Sequence, residues 1–136
     1  MDNIYIHEKI AKVKIPYENG IKEVYGHIIE YNERTFIQHG NGDDTTPFSV
    51  ITYTYSDFET GRKIRSIDFM ALELSDLHSK AKATKHIVEV FIDYVKPIID
   101  KHSDKFDEVK KSYEKLNDKI IYENGELQQL LDQCEK

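Results

Sequence analysis

The sequence predicts an α+β fold: an N-terminal antiparallel β-meander of about five strands, followed by two C-terminal helices packed on one face. Three observations lead there. Up to about Ser75 the apolar residues alternate with polar ones and are broken by Gly, Asn and Pro, which is the strand pattern. Beyond it they recur at three and four, and Gly is nearly absent. The chain has 136 residues, 39% of them hydrophobic, enough for one core and short for a two-domain enzyme. We therefore expect a single structural domain, with residues 1–76 as its sheet portion and 77–136 as its helical portion.

Each strand has its own signal. Ala11, Val13 and Ile15 alternate with Lys12 and Lys14, and the turn Glu18-Asn19-Gly20 supplies the positive φ angles of a tight hairpin. The return strand runs from Ile21 to Tyr31. A short turn at Asn32-Glu33-Arg34 leads into Thr35–His39, and Gly40–Pro47 reads as a loop. Phe48–Tyr55 is β-branched and aromatic, a strong strand signal. Glu59-Thr60-Gly61-Arg62 makes another hairpin turn, and Lys63–Leu72 is the last strand.

Ser75 or Asp76 is the expected N-cap of the first helix. Its apolar stripe is Leu77, Ala81, Thr84, Val88, Phe91, Val95 and Ile98, widened by Ile87, Ile92 and Ile99. Pro97 near its end is expected to kink or stop it. Ser103 or Asp104 would cap a second helix with apolar positions Phe106, Val109, Tyr113, Leu116, Ile120, Leu127, Leu130 and Cys134, and Glu123 in the one missing place. That is a heptad, coiled-coil-like register. One helix over residues 104–135 would be about 48 Å long, whereas a compact chain of this size is about 37 Å across. The helix either breaks at Asn124-Gly125 or overhangs the domain and pairs with a second copy. The register favours the second, with Tyr113, Leu116, Ile120, Leu127 and Leu130 as the oligomer interface of a homodimer. The segment Tyr17-Glu18-Asn19-Gly20 recurs as Tyr122-Glu123-Asn124-Gly125, but its flanks differ in period, so no repeat is inferred.

Lys and Arg number 19 and Asp and Glu 25, giving a formal charge of −6, which argues against bulk nucleic-acid binding. The acidity belongs to the sheet portion: residues 1–76 carry 8 cations and 13 carboxylates, residues 77–136 carry 11 and 12. The single cysteine, Cys134, forms no disulfide framework and suggests a reducing compartment. Neither a signal peptide nor a membrane span is read, so a cytoplasmic protein is expected. The Ile- and Lys-rich, Arg-poor composition suits a low-GC bacterium or its phage.

Two clusters and one surface are candidate sites. Arg62 and Arg65, with Lys80, Lys82, Lys85 and His86 at the start of the first helix, form a cationic set suited to an anion. The loop holding His39, Asp43 and Asp44 has metal-ligating residue types, without the spacing of a known metal loop. Tyr25, Tyr31, Tyr53 and Tyr55 offer amphipathic area for a protein partner. His27, on an apolar strand face, reads as a core histidine, and Cys134 as a small hydrophobe. No catalytic motif is present. The leading expectation is a non-enzymatic interaction protein without cofactor or metal, an inhibitor or anti-defence factor binding a protein partner as a homodimer. The alternative is a sequestering binder of a phosphorylated or nucleotide-like small ligand. A metal-dependent hydrolase built on His39, Asp43 and Asp44 is the third.

Overall fold

The computed structural model describes residues 3–42, 46–125 and 127–129, the last three by backbone alone. Strands β1 (Ile4–Tyr17), β2 (Gly20–Tyr31), β3 (Arg34–Gly42), β4 (Val50–Asp57) and β5 (Lys63–Met70) form the meander the alternation predicts. Helices α1 (Lys80–Val90), α2 (Lys96–Lys101) and α3 (Ser103–Lys110) follow, then β6 (Lys119–Tyr122) and β7 (Leu127–Gln129). The seven strands form one antiparallel sheet in the order β5-β4-β3-β2-β1-β6-β7. The chain is α+β, and no helix among the described residues is long and apolar enough to cross a membrane.

Local chemistry sets the turns. Asn32 and Glu33 both take positive φ, 54° and 67°, so Tyr31 pairs directly with Arg34 across a two-residue turn. Ser79, not Ser75 or Asp76, caps α1: its Oγ accepts from Lys82 N–H at 3.1 Å. The residues between Met70 and Ser79 include a 3-10 turn, Ala71–Leu74. Pro97 neither stops the helix nor breaks it sharply. The preceding turn, Phe91–Val95, widens to π geometry, with Lys96 N–H reaching Phe91 O. The wider turn accommodates a proline ring that would otherwise crowd the carbonyl of Asp93.

Each face of the sheet buries its own core. On one face, Ile29, Tyr31, Phe36, Tyr53 and Tyr55 pack against Ile87, Val90, Phe91, Val95 and Ile99 of the helical layer. Among the described residues no helix contributes to the core of the opposite face. That face buries Ala11, Val13, Ile15, Ile28, Ile37, Phe58 and Ile120 because the sheet rolls over on itself. The β4–β5 turn lies against β1: Gly61 has φ +71°, and a Cβ there would stand 2.6 Å from Lys14 O. Asn117 fixes this closure, its Nδ2 donating to Lys14 O at 2.9 Å and to Phe58 O at 2.8 Å. On the same face His7 joins Glu30 (2.7 Å) to the Tyr122 hydroxyl (2.9 Å), which ties β6 to the first hairpin.

The expected long second helix is corrected. It ends at Lys110, and the chain returns to the sheet as β6. Ile120, assigned to a heptad seam, is a fully buried strand residue, and Leu116 is half-buried with its N–H on Glu59 O at 2.7 Å. β-branched Ile120 and Ile121 followed by Tyr122 favour an extended chain, and Gly125 takes φ 89° to turn it into β7. Leu127 lies in β7, while Leu130 and Cys134 fall outside the described residues. The sheet portion therefore does not end at residue 76, because β6 and β7 extend the sheet beyond β1.

Candidate functional site

Beside the rolled part of the sheet lies a cleft of about 1170 Å³. It runs over β3, β4 and β5 on that opposite face and past the β4–β5 turn to α2 and α3. Its polar lining comes from strand alternation. Small hydroxyl residues Thr52, Thr54 and Ser56 occupy the face of β4 opposite Tyr53 and Tyr55. His39, Thr54 and Ser66 stand in one cross-strand row, and Asn41 stands beside Thr52 in the next. Thr54 Oγ1 and Ser66 Oγ are 3.0 Å apart, and Thr52 donates to Asp68 at 2.7 Å.

Two atoms in this lining stand out. His39 is 8% exposed and Ser56 is 1% exposed, and both line the cleft. His39 Nε2 and Ser56 Oγ are buried without a hydrogen-bond partner among the described residues. A buried polar atom left unsatisfied costs about 1–3 kcal/mol. Burial also pushes the His39 imidazole below its ordinary pKa, so it is neutral at neutral pH.

Cations surround the cleft. Lys110 is committed: its ammonium pairs with Asp57 Oδ1 at 3.2 Å and with Glu59, which also holds Lys115 at 2.7 Å. Burial would raise the Glu59 carboxyl, but these two lysines overcome it and hold the group below the usual carboxylate range. Lys22, Arg62, Lys63 and Lys105 also line the cleft, and none has a carboxylate within ion-pair distance among the described residues. The Arg62 guanidinium lies 4.3 Å from the centre of the Tyr113 ring. The cleft thus combines positive charge at its margin, neutral hydrogen-bonding groups on its floor and an apolar wall that includes Phe106 and Val109.

The residues singled out from sequence are distributed differently from the expectation. Of the six cationic candidates only Arg62 lines the cleft. Arg65 lies over the Tyr94 ring at 5.5 Å, and Lys80, Lys82 and Lys85 are exposed on α1. Lys80 borders a separate hollow of about 250 Å³ with Lys9 and Tyr122. His86 is half-buried, its Nδ1 at 3.1 Å from the Tyr53 hydroxyl. Of the four tyrosines only Tyr25 is exposed. Tyr31, Tyr53 and Tyr55 lie beneath the helices, so they form no surface. Tyr55 donates to Ile87 O at 2.7 Å and Tyr31 to Asp100 at 2.5 Å.

Asp43 and Asp44 lie outside the described residues, and among those described no group of three His, Cys, Asp or Glu is placed to hold a metal ion. Sequence reasoning did not select Ser56, Lys22 or Lys105, and named Lys63 only as a neighbour of Arg62 and Arg65. The signal for the floor was present as the hydroxyl alternation Thr52, Thr54, Ser56. The cations were visible only as scattered charges until strand pairing and the packing of α3 brought them to one place. Compared with protein-family models, with curated proteins and with solved structures, the chain matches none.

Proposed function

We propose that the protein is a non-enzymatic binding protein that sequesters a small phosphate-bearing ligand in the cleft. One observation carries this reading: four cations without carboxylate partners among the described residues surround a floor that holds two buried polar atoms, likewise unpaired among those residues. Unpaired cations at a concave margin attract an anion, and a ligand hydrogen-bonding His39 and Ser56 would recover the desolvation cost of both. Sequestration of this kind suits an inhibitor or anti-defence factor, because removing a ligand needs affinity and no catalytic group. Thermal melting with a panel of nucleotides, sugar phosphates and inorganic phosphate tests it. A ligand at about 100 times its Kd adds about 2.7 kcal/mol to stability. Melting temperatures unchanged across the whole panel would defeat the reading.

A second reading, a protein partner or second copy docking on the sheet, draws on a different observation. Phe48, Val50, Met70 and Leu72 are 76%, 55%, 40% and 55% exposed. They lie close together, since Val50 pairs with Met70 and Leu72 N–H bonds Pro47 O at 3.0 Å. Light scattering at high concentration separates the two: a mass above the 16.0 kDa of one chain supports association, and a monomer removes the homodimer.

A further inference from the structure

The cleft lining sorts into two chemically different arms with cations between them. The polar arm, on the open face of the sheet, is uncharged on its floor: His39, Asn41, Thr52, Thr54, Ser56 and Ser66. The apolar arm, on the helical side, contains Ile64, Ile98, Phe106, Val109 and Tyr113. A bulge in β5 creates the division. Tyr55 pairs with Arg65 and Ser56 with Lys63, which leaves Ile64 as the extra residue, turned to pack on the helix-side core with Phe106. Arg62 and Lys63 sit at the passage between the arms. Lys63 is opposite Ser56 on the polar side, while Arg62 stacks on Tyr113 on the apolar side.

Charge placement constrains the ligand. A molecule with a terminal phosphate would engage these cations with one end and leave one arm unused. A molecule with its phosphate in the middle uses both. Hydroxyls and a neutral imidazole match the hydroxyls of a sugar, which they can meet as donor and acceptor alike. Tyr113, 41% exposed and already stacked with Arg62, lines this arm together with Phe106, and such aromatic area matches a flat ring. The volume, about 1170 Å³, exceeds the range of about 300–1,000 Å³ common for drug-sized ligands.

We propose that the cleft takes a two-ended ligand with an internal phosphate, a diphosphate or a phosphodiester, carrying an aromatic base at one end and a sugar at the other. The base lies against Tyr113 and Phe106, the phosphate at Arg62 and Lys63, and the sugar on the row His39, Thr54, Ser66. The proposal rests on the cleft being the ligand site. Two sources share this chemistry, nucleoside-diphosphate sugars and dinucleotides.

Titration calorimetry on the full chain tests it with ADP-ribose and UDP-glucose, the dinucleotides ApA and UpU, the monophosphates AMP and UMP, and inorganic phosphate. The expected result is that at least one two-ended probe binds tenfold or more tightly than its matching monophosphate. Which pair does so identifies the source. Ser66→Ala, at an exposed position that preserves folding, should weaken that probe about threefold or more and leave the monophosphate unchanged, and His39→Gln should do so more strongly. Monophosphates binding as tightly as the two-ended probes would overturn the internal-phosphate proposal and leave the cleft reading intact. No binding by any of the seven probes would overturn both.

Discussion

Asn117 holds Lys14 by both sides of its backbone: Oδ1 accepts the Lys14 N–H at 2.9 Å and Nδ2 donates to the Lys14 carbonyl at 2.9 Å. A side chain here does what a neighbouring strand would do, across 103 positions of sequence. The other Nδ2 hydrogen serves the Phe58 carbonyl at 2.8 Å, and the Asn117 N–H reaches Glu59 O at 3.0 Å. The rolled core under Phe58 and the wall of the cleft both depend on this closure. Asn117→Ala is expected to lower unfolding free energy by about 2–4 kcal/mol, because it leaves buried groups of β1 and the β4–β5 turn unpaired. Asn117→Asp should cost a similar amount, since a carboxylate cannot donate to the two carbonyls. Urea titration measures both, and a loss below about 0.5 kcal/mol would show that the closure stands without the clamp.

Tyr55 makes a narrower case. Its ring is fully buried between sheet and helix, and its hydroxyl donates to Ile87 O at 2.7 Å. Burial first, then the neighbouring Tyr53, pushes its pKa up, so the group stays a neutral donor. Tyr55→Phe keeps the packing and removes the bond, for an expected loss of about 1–1.5 kcal/mol. A gain in stability on denaturant titration would contradict the bond.

The meander and the α+β class could be read from alternation and turn residues, because along β1 buried Ala11, Val13 and Ile15 alternate with lysines and along β4 Tyr53 and Tyr55 alternate with hydroxyl residues. The end of the chain could not be read in the same way. Tyr113, Leu116 and Ile120 keep a three-four spacing, yet all three lie beyond α3, the first two in a connector and Ile120 in a strand. The better signal was the repeated Tyr-Glu-Asn-Gly. Both copies are hairpin turns, with Gly20 at φ 125° and Gly125 at φ 89°. A local turn signal shared by two segments outweighed a three-four periodicity read over eight positions from Phe106 to Cys134. The cleft was legible only in pieces. Tertiary packing, which no single segment encodes, puts Arg62 in the cleft lining and leaves Lys80 outside it.

Two histidines predict an acid response. Burial lowers the pKa of His27 first, opposed by its bond to His7 O and aided by Lys80, and burial lowers that of His39. The unfolded chain, with ordinary histidines near 6.5, therefore binds more protons than the folded one as pH falls below about 6.5. Stability should be flat above about pH 7 and decline below 6.5, ahead of the carboxylate region. His27→Gln should flatten that decline in melting curves taken at pH 7.5 and 5.5. An unchanged pH slope in this variant would show that His27 does not take part.

Arg62 and Arg65 are three residues apart on one hairpin and should behave as opposites. Arg62 lies in the cleft with its guanidinium on Tyr113 and no carboxylate partner among the described residues. Arg65 lies over Tyr94 on the helical side and does not line the cleft. If the cleft binds a phosphate, Arg62→Ala removes a cation next to it and should weaken a bound nucleotide about tenfold or more. Arg65→Ala, like Lys82→Ala on α1, should change affinity less than twofold, because the field of an exposed charge outside the site is screened within about 10 Å in 0.1 M salt. Calorimetry on the three variants measures the contrast. Equal losses at Arg62 and Lys82 would return the anion site to the helix N-terminus and move it away from the cleft.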